Sequence, residues 1–176
     1  MAVLCEAISV VVRAHRALQA FGSFEDFKRV ISNATLVADN ELMRVGFMAP
    51  DDVRAFVDLL GGFGLQYIVD GKAQDLVVVD QMRGPAAPCH WLEFGHIEMS
   101  GCKVAAARLR GGSSKQLFTP EGWTVTGSLS QTFGFAPISV EGKGMKFLRR
   151  EGSMDVYLNS MTGKEVYVGR TSSRGT

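Results

Sequence analysis

Residues 84–103, GPAAPCHWLEFGHIEMSGCK, bring Cys89, His90, His96, Cys102, Glu93 and Glu98 within twenty positions. Thiolate and imidazole are the usual ligands of Zn²⁺, which makes Cys89, His96 and Cys102 the candidate metal ligands. Structural zinc sites pair their ligands in short knuckles, C-x2–4-C and H-x3–5-H. Here six residues separate Cys89 from His96 and five separate His96 from Cys102, and no C-x-x-C occurs. Alternate residues of a strand share a face, so His90 and His96 fall with Leu92 and Phe94, and Glu93 falls with Trp91 and Ile97. A half-buried strand with a histidine near each end, turning at Ser100-Gly101 before Cys102, accounts for the pattern better than a metal centre does.

The same residues could do covalent or acid–base chemistry. Cys89 beside His90 would give an activated thiolate if the two side chains met, but strand neighbours point to opposite faces. His96 or His15 would then have to approach through the fold. The best catalytic candidates are carboxylates. Asp80 closes the apolar run LVVVDQ and Glu93 sits within WLEFG. If those strands are neighbours, the two acids and Gln81 converge at one sheet end, with His90 or His96 within reach. Paired carboxylates in unlike surroundings split their pKa values and can act as acid and base. Otherwise both are ordinary strand-end polar groups.

Other chemistries lack their fingerprints. Neither G-x-G-x-x-G nor G-x-x-x-x-G-K-[ST] is present. GGFGLQ at 61–66 follows a helical pattern instead of opening one, and GGSSK at 111–115 lacks phosphate-loop spacing, so no cofactor is expected. An RNA-binding sheet needs an aromatic-rich basic strand, and RVGFM offers only Phe47. Residues 1–100 hold 8 Lys and Arg against 13 Asp and Glu (net −5), while residues 101–176 hold 11 against 5 (net +6). The acidic half would repel phosphate, and the basic residues of the other half are scattered, so no nucleic-acid partner is expected.

The elements that must position these residues are legible in the first half of the 176-residue chain. VLCEAISVVVR (3–13) is rich in β-branched residues and reads as one strand, although Glu6 interrupts its apolar run. SFEDFKRVIS (23–32) starts on Ser23 as N-cap with Asp26 three positions on, and Phe24, Phe27 and Ile31 share a helical face. Residues 33–48 read as two strands around an Asp39-Asn40 turn. APDDVRAFVDLLGG (49–62) is a helix opened by Pro50, favoured by Asp51 and Asp52 in its first turn, and stopped by Gly61-Gly62. Residues 65–81 read as a hairpin turning at Asp70-Gly71.

This order, strand-helix-strand-strand-helix-strand, predicts an α+β protein with a ferredoxin-like βαββαβ unit over residues 1–83. Both helices should cover one face of a single antiparallel sheet. MRGPAAP (82–88) is the one boundary signal. Residues 89–176 read as a β-rich antiparallel half, a second unit or an extension of the first, with a closing meander that turns near Thr162-Gly163 and a frayed TSSRGT end.

Composition sets the remaining limits. A hydrophobic content of 46% and a charged content of 21% are those of an ordinary globular protein able to bury its own core. Cys5, Cys89 and Cys102 are too few for a disulfide framework, and Cys5 reads as a small core residue. Residues 2–12 are too short for a membrane span and lack a basic leader, so a cytoplasmic protein without a membrane partner is expected.

The phrases VGFMAPDDV, VVDQ and WLEFG, in this order, resemble those of a group of small uncharacterised bacterial proteins. The resemblance spans roughly residues 1–97 and implies no activity. With no cofactor motif and an uneven charge, the first functional expectation is a non-enzymatic protein-binding module of the kind bacterial immunity proteins exemplify. Met43, Met48, Met82, Met99, Met145, Met154 and Met161, with Trp91, Trp123 and Phe135, supply soft and aromatic surface for such a partner, or else core. The alternative is a small enzyme or ligand-binding domain using Asp80 and Glu93 with a nearby histidine. The sequence assigns no oligomeric state.

Overall fold

The computed structural model describes residues 1–130, 133–135, 145–151, 154–159 and 164–169. The chain is mixed α+β, with few helices and mainly antiparallel sheets.

The first strand splits. Strand β1 is Ala2–Leu4 and β2 is Ile8–Arg13. Between them Ala7 adopts φ +55°, a left-handed conformation that no strand sustains. The two pieces enter different sheets, so the single strand expected over 3–13 is corrected to two. Helix α1, Ala14–Phe21, follows directly and ends on Gly22 at φ +85°. Helix α2 is only Phe24–Arg29. Ser23 caps it as expected, its hydroxyl accepting from the Asp26 N–H at 3.1 Å. Ile31 lies beyond its end and Phe24 is exposed, so of the expected stripe only Phe27 is buried within the helix.

Strands β3 (Val37–Ala38) and β4 (Leu42–Phe47) flank the expected turn. There Asp39 Oδ1 accepts from the N–H groups of Glu41 and Leu42. Helix α3 is Pro50–Gly62, burying Val53, Phe56 and Leu60. Residues 65–81 hold two separate features instead of one hairpin. A two-strand ribbon, β5 (Ile68–Val69) with β6 (Lys72–Ala73), turns at Asp70-Gly71, and β7 (Leu76–Asp80) goes elsewhere. Then follow β8 (Gly84–Pro85), β9 (Leu92–Met99), β10 (Cys102–Leu109) and β11 (Leu117–Phe118). A 3-10 turn occupies Val125–Gly127. Strands β12 (Phe133–Phe135), β13 (Met145–Glu151), β14 (Met154–Asn159) and β15 (Lys164–Gly169) complete the described chain.

Two sheets carry the core. The five-stranded sheet has the order β3-β4-β2-β7-β8, antiparallel throughout. The four-stranded sheet has the order β11-β1-β10-β9. Strand β1 therefore pairs with β10, Val3 opposite Ala107, joining residues from both sides of the 82–88 loop. Period-two alternation on β2 sends Val10 and Val12 to one face and Val11 to the other. Val10 and Val12 pack with Met43 and Val45 against Phe27, Phe56 and Leu60, so all three helices cover one face. Val11, Leu42, Val77 and Val79 pack against Val3, Cys5, Trp91, Leu92 and Ala105 of the second sheet or the segments leading into it. The layers are helices, five strands, four strands. Such burial on both sides explains why β2 carries three consecutive valines and why β4 is apolar but for Arg44.

A third sheet, β12-β15-β14-β13, contains the expected closing meander, with β13-β14 and β14-β15 both antiparallel. The Thr162-Gly163 turn and the TSSRGT end lie outside the described residues. Among the described residues no helix is long and apolar enough to cross a membrane.

Candidate functional site

The structure disperses most of the residues singled out from the sequence. Asp80 ends β7, where its Oδ1 accepts from the Met82 and Arg83 N–H groups at 2.8 and 2.9 Å. That carboxylate caps a turn. Glu93 lies on β9 directly across from Arg108 on β10, and the two form an ion pair at 3.0 Å. Arg108 holds the Glu93 carboxyl below its ordinary value. Glu93 and His96 line a cavity of about 330 Å³ with Arg108 and Lys115, and Asp80 is not in its wall.

The histidines also separate. His96 Nε2 lies 3.2 Å from the Gln81 carbonyl oxygen, to which it donates in the Nε2–H tautomer. His90 precedes β9, and its carbonyl accepts from Arg110 Nε at 2.7 Å. Cys89 is half-buried, and burial pushes its thiol pKa up, opposite to the shift an activated thiolate needs. Cys102 begins β10 beyond the Ser100-Gly101 turn, both of whose residues have positive φ. Among the described residues no three His, Cys, Asp or Glu side chains stand close enough to hold a metal ion, so Cys89, His96 and Cys102 are not brought together.

The concentrated chemistry lies where the β1–β2 break meets the end of the two-sheet interface. Glu6 and Arg44 are 5% and 3% exposed, rare for charged residues. Arg44 occupies β4 opposite Val11, which places it on the face toward the second sheet. Its Nε donates to Ser9 Oγ at 2.9 Å, one terminal nitrogen to the Glu6 carbonyl at 2.8 Å and the other to the Thr35 carbonyl at 3.3 Å. The guanidinium lies flat over Gly46, where a Cβ would stand 2.6 Å from its nearest nitrogen. Removal from water lowers the Arg44 pKa, and the Cys5 and Glu6 charges oppose that shift.

The Glu6 carboxylate faces the other way. Oε2 accepts from Trp123 Nε1 at 3.0 Å, and Oε1 accepts from the Ser130 hydroxyl at 2.9 Å and from the Ser128 hydroxyl. Ser130 Oγ in turn accepts from the Ala105 N–H of β10. One acid thus fastens segment 123–130 to both sheets. Gln81, fully buried, reinforces the junction: its Oε1 accepts from the Ala7 N–H and its Nε2 donates to the Leu129 carbonyl.

Over this cluster lies a cleft of about 560 Å³ whose wall includes Glu6, Arg44, Thr35, Phe47, Asp52 and Trp123. Sequence reasoning passed over it because its members are scattered from residue 4 to residue 129. The available signal was a charged residue inside an apolar run, at Glu6 in VLCEAISVVV and at Arg44 in LMRVGF. A charge fixed inside a sheet core must be paired or hydrogen-bonded. The chain matches no protein-family model, no curated protein and no solved structure.

Proposed function

We propose that this protein is a non-enzymatic protein-binding module, acting in the cytoplasm on one partner in the manner of a bacterial immunity-type inhibitor. The observation that carries the reading is an apolar strip on the helical layer. Phe21 of α1 stacks on Phe63 at the end of α3, with ring centroids 4.2 Å apart. Leu18 stands one turn before Phe21 and Leu59 one turn before Phe63, on the same helix faces. Leu18, Leu59 and Phe63 are 39, 40 and 44% exposed. An aromatic pair flanked by leucines suits the centre of a protein interface. The turn-capping use of Asp80 and the ion pairing of Glu93 support the absence of an acid–base pair between them.

Strands β2, β3, β4 and β7 with α2 and α3 are read as a ferredoxin-like βαββαβ unit. The support is the antiparallel order β3-β4-β2-β7 with both helices packed on one face.

Affinity capture with the tagged chain tests the function. The wild type should hold one partner at fixed stoichiometry, and Leu59→Glu with Phe63→Glu should release it while leaving the circular dichroism spectrum unchanged. A second reading, an enzyme or ligand-binding domain, draws on the cavity that Glu93 and His96 share. A turnover that Glu93→Gln abolishes, in a preparation with no captured partner, would replace the first reading by the second.

A further inference from the structure

The buried guanidinium of Arg44 is not saturated. An arginine carries five N–H donors in a planar fork. Three of the Arg44 donors are engaged, by Ser9, Thr35 and Glu6, and all three acceptors are neutral oxygens. Among the described residues Arg44 forms no ion pair with a carboxylate, and two of its N–H groups have no partner. A buried cation in this state is costly unless a counter-charge completes it. Arg44 nevertheless lines the cleft of about 560 Å³, a volume in the range of small-molecule sites.

The cleft wall has a graded character. Arg44 is buried at its base, while Asp52 and Glu121 are exposed and acidic. Leu4, Phe47 and Met48 supply apolar wall. Glu6, buried in the same wall, directs its carboxylate to Trp123, Ser128 and Ser130, away from the Arg44 fork. A plain anion would meet the cation but be repelled by the three acids. A plain cation would meet the acids but leave Arg44 unsatisfied. A zwitterion satisfies both: a carboxylate takes the remaining N–H groups, one on each terminal nitrogen of Arg44, an ammonium group takes the acidic side, and an apolar substituent covers the wall.

We infer that this cleft binds a small amino-acid-like zwitterion with an apolar side chain, its carboxylate on Arg44 and its ammonium toward Asp52 and Glu121. The site is separate from the helical strip proposed to meet a protein partner, so either reading can fail without the other.

Isothermal titration of the whole chain tests it with three probes of the same shape: L-leucine, 4-methylpentanoate (no ammonium) and 3-methylbutylamine (no carboxylate). Leucine should bind at least tenfold more tightly than either analogue. Arg44→Lys, which loses the planar fork but keeps the charge, should weaken leucine binding at least tenfold. Asp52→Asn, a change at an exposed helical position that leaves the core untouched, should weaken leucine several-fold and leave 4-methylpentanoate unchanged or tighter. The Asp52 variant carries the test if Arg44→Lys fails to fold. Absence of heat with L-leucine and with a second amino acid, L-phenylalanine, overturns the proposal. So does equal affinity for leucine and 4-methylpentanoate, which would mark a simple anion site, or leucine binding that Asp52→Asn does not change.

Discussion

Glu6 and Arg44, both buried, meet through the backbone of one and the side chain of the other: Arg44 donates to the Glu6 carbonyl at 2.8 Å, while the Glu6 carboxylate turns away to Trp123, Ser128 and Ser130. One residue therefore ties strand β4 to segment 123–130. Removing its side chain strands three donors, two of them buried serine hydroxyls. Glu6→Ala should lower unfolding stability by about 3 kcal/mol in urea titrations, and Glu6→Gln, which keeps one acceptor oxygen, by less. Trp123 fluorescence should shift to the red in Glu6→Ala as its N–H loses its partner. An unchanged midpoint in the alanine variant would show that the tether contributes nothing.

The flat seat of Arg44 on Gly46 gives a second test. A Cβ at position 46 would lie 2.6–2.9 Å from three guanidinium atoms, which are held by three hydrogen bonds. Gly46→Ala should cost about 1–3 kcal/mol, the range for overpacking a closed core. Gly95, on the edge strand β9, has nothing within 4 Å of its would-be Cβ, so Gly95→Ala serves as the control and should be neutral or slightly stabilising. Equal midpoints for the two variants would refute the packing argument.

Asp75 sets a pH dependence. Burial works to raise its pKa, but Arg16 at 2.8 Å, the Gln66 N–H at 2.8 Å and the Arg13 charge outweigh burial and hold the carboxyl below its ordinary value. A carboxyl depressed in the folded state contributes stability that is fully present above its unfolded pKa, about 3.9, and is lost as the pH falls through the folded value. Asp75→Asn should therefore be less stable than the wild type by about 2 kcal/mol at neutral pH, with the gap closing below about pH 4. Thermal melts from pH 3 to 7 measure it, and a gap independent of pH would disprove the assignment.

Cys5 is fully buried between the two sheets, and desolvation pushes its thiol up to about 12. Cys89 and Cys102 are both partly exposed. Titration of the native protein with a thiol reagent at pH 8 should consume at most two thiols, the third reacting only in denaturant, since the thiolate is the reactive form. Prompt reaction of all three in native buffer would mean that the two-sheet interface opens freely.

The local elements were readable because their causes are local. The Ser23 cap, the Asp39 turn, the Pro50 start of α3 and the Asp70-Gly71 and Ser100-Gly101 turns each rest on one or two residues whose backbone preference dominates. The helical spacing of Val53, Phe56 and Leu60 likewise marked side chains that face the helical core, whereas the run Val10-Val11-Val12 of β2 carries no alternation to say which valine faces which layer. Helix α1 was equally local in cause, with Ala14, Ala17 and Phe21 on one face and Gly22 at its end, although the expected element order did not include it.

What the sequence determined by itself was thus the type of most elements, their turns and the apolar faces they must bury, since propensity and periodicity act over a few residues. Only the tertiary structure decided that Ala7 breaks the first strand, that β1 leaves β2 to pair with β10, and that Glu6, Arg44 and Trp123 share one cleft while Asp80 and Glu93 do not. Those outcomes depend on which apolar face meets which. Pairing partners such as Val3 and Ala107 stand about a hundred residues apart, and no short-range preference along the chain encodes their choice.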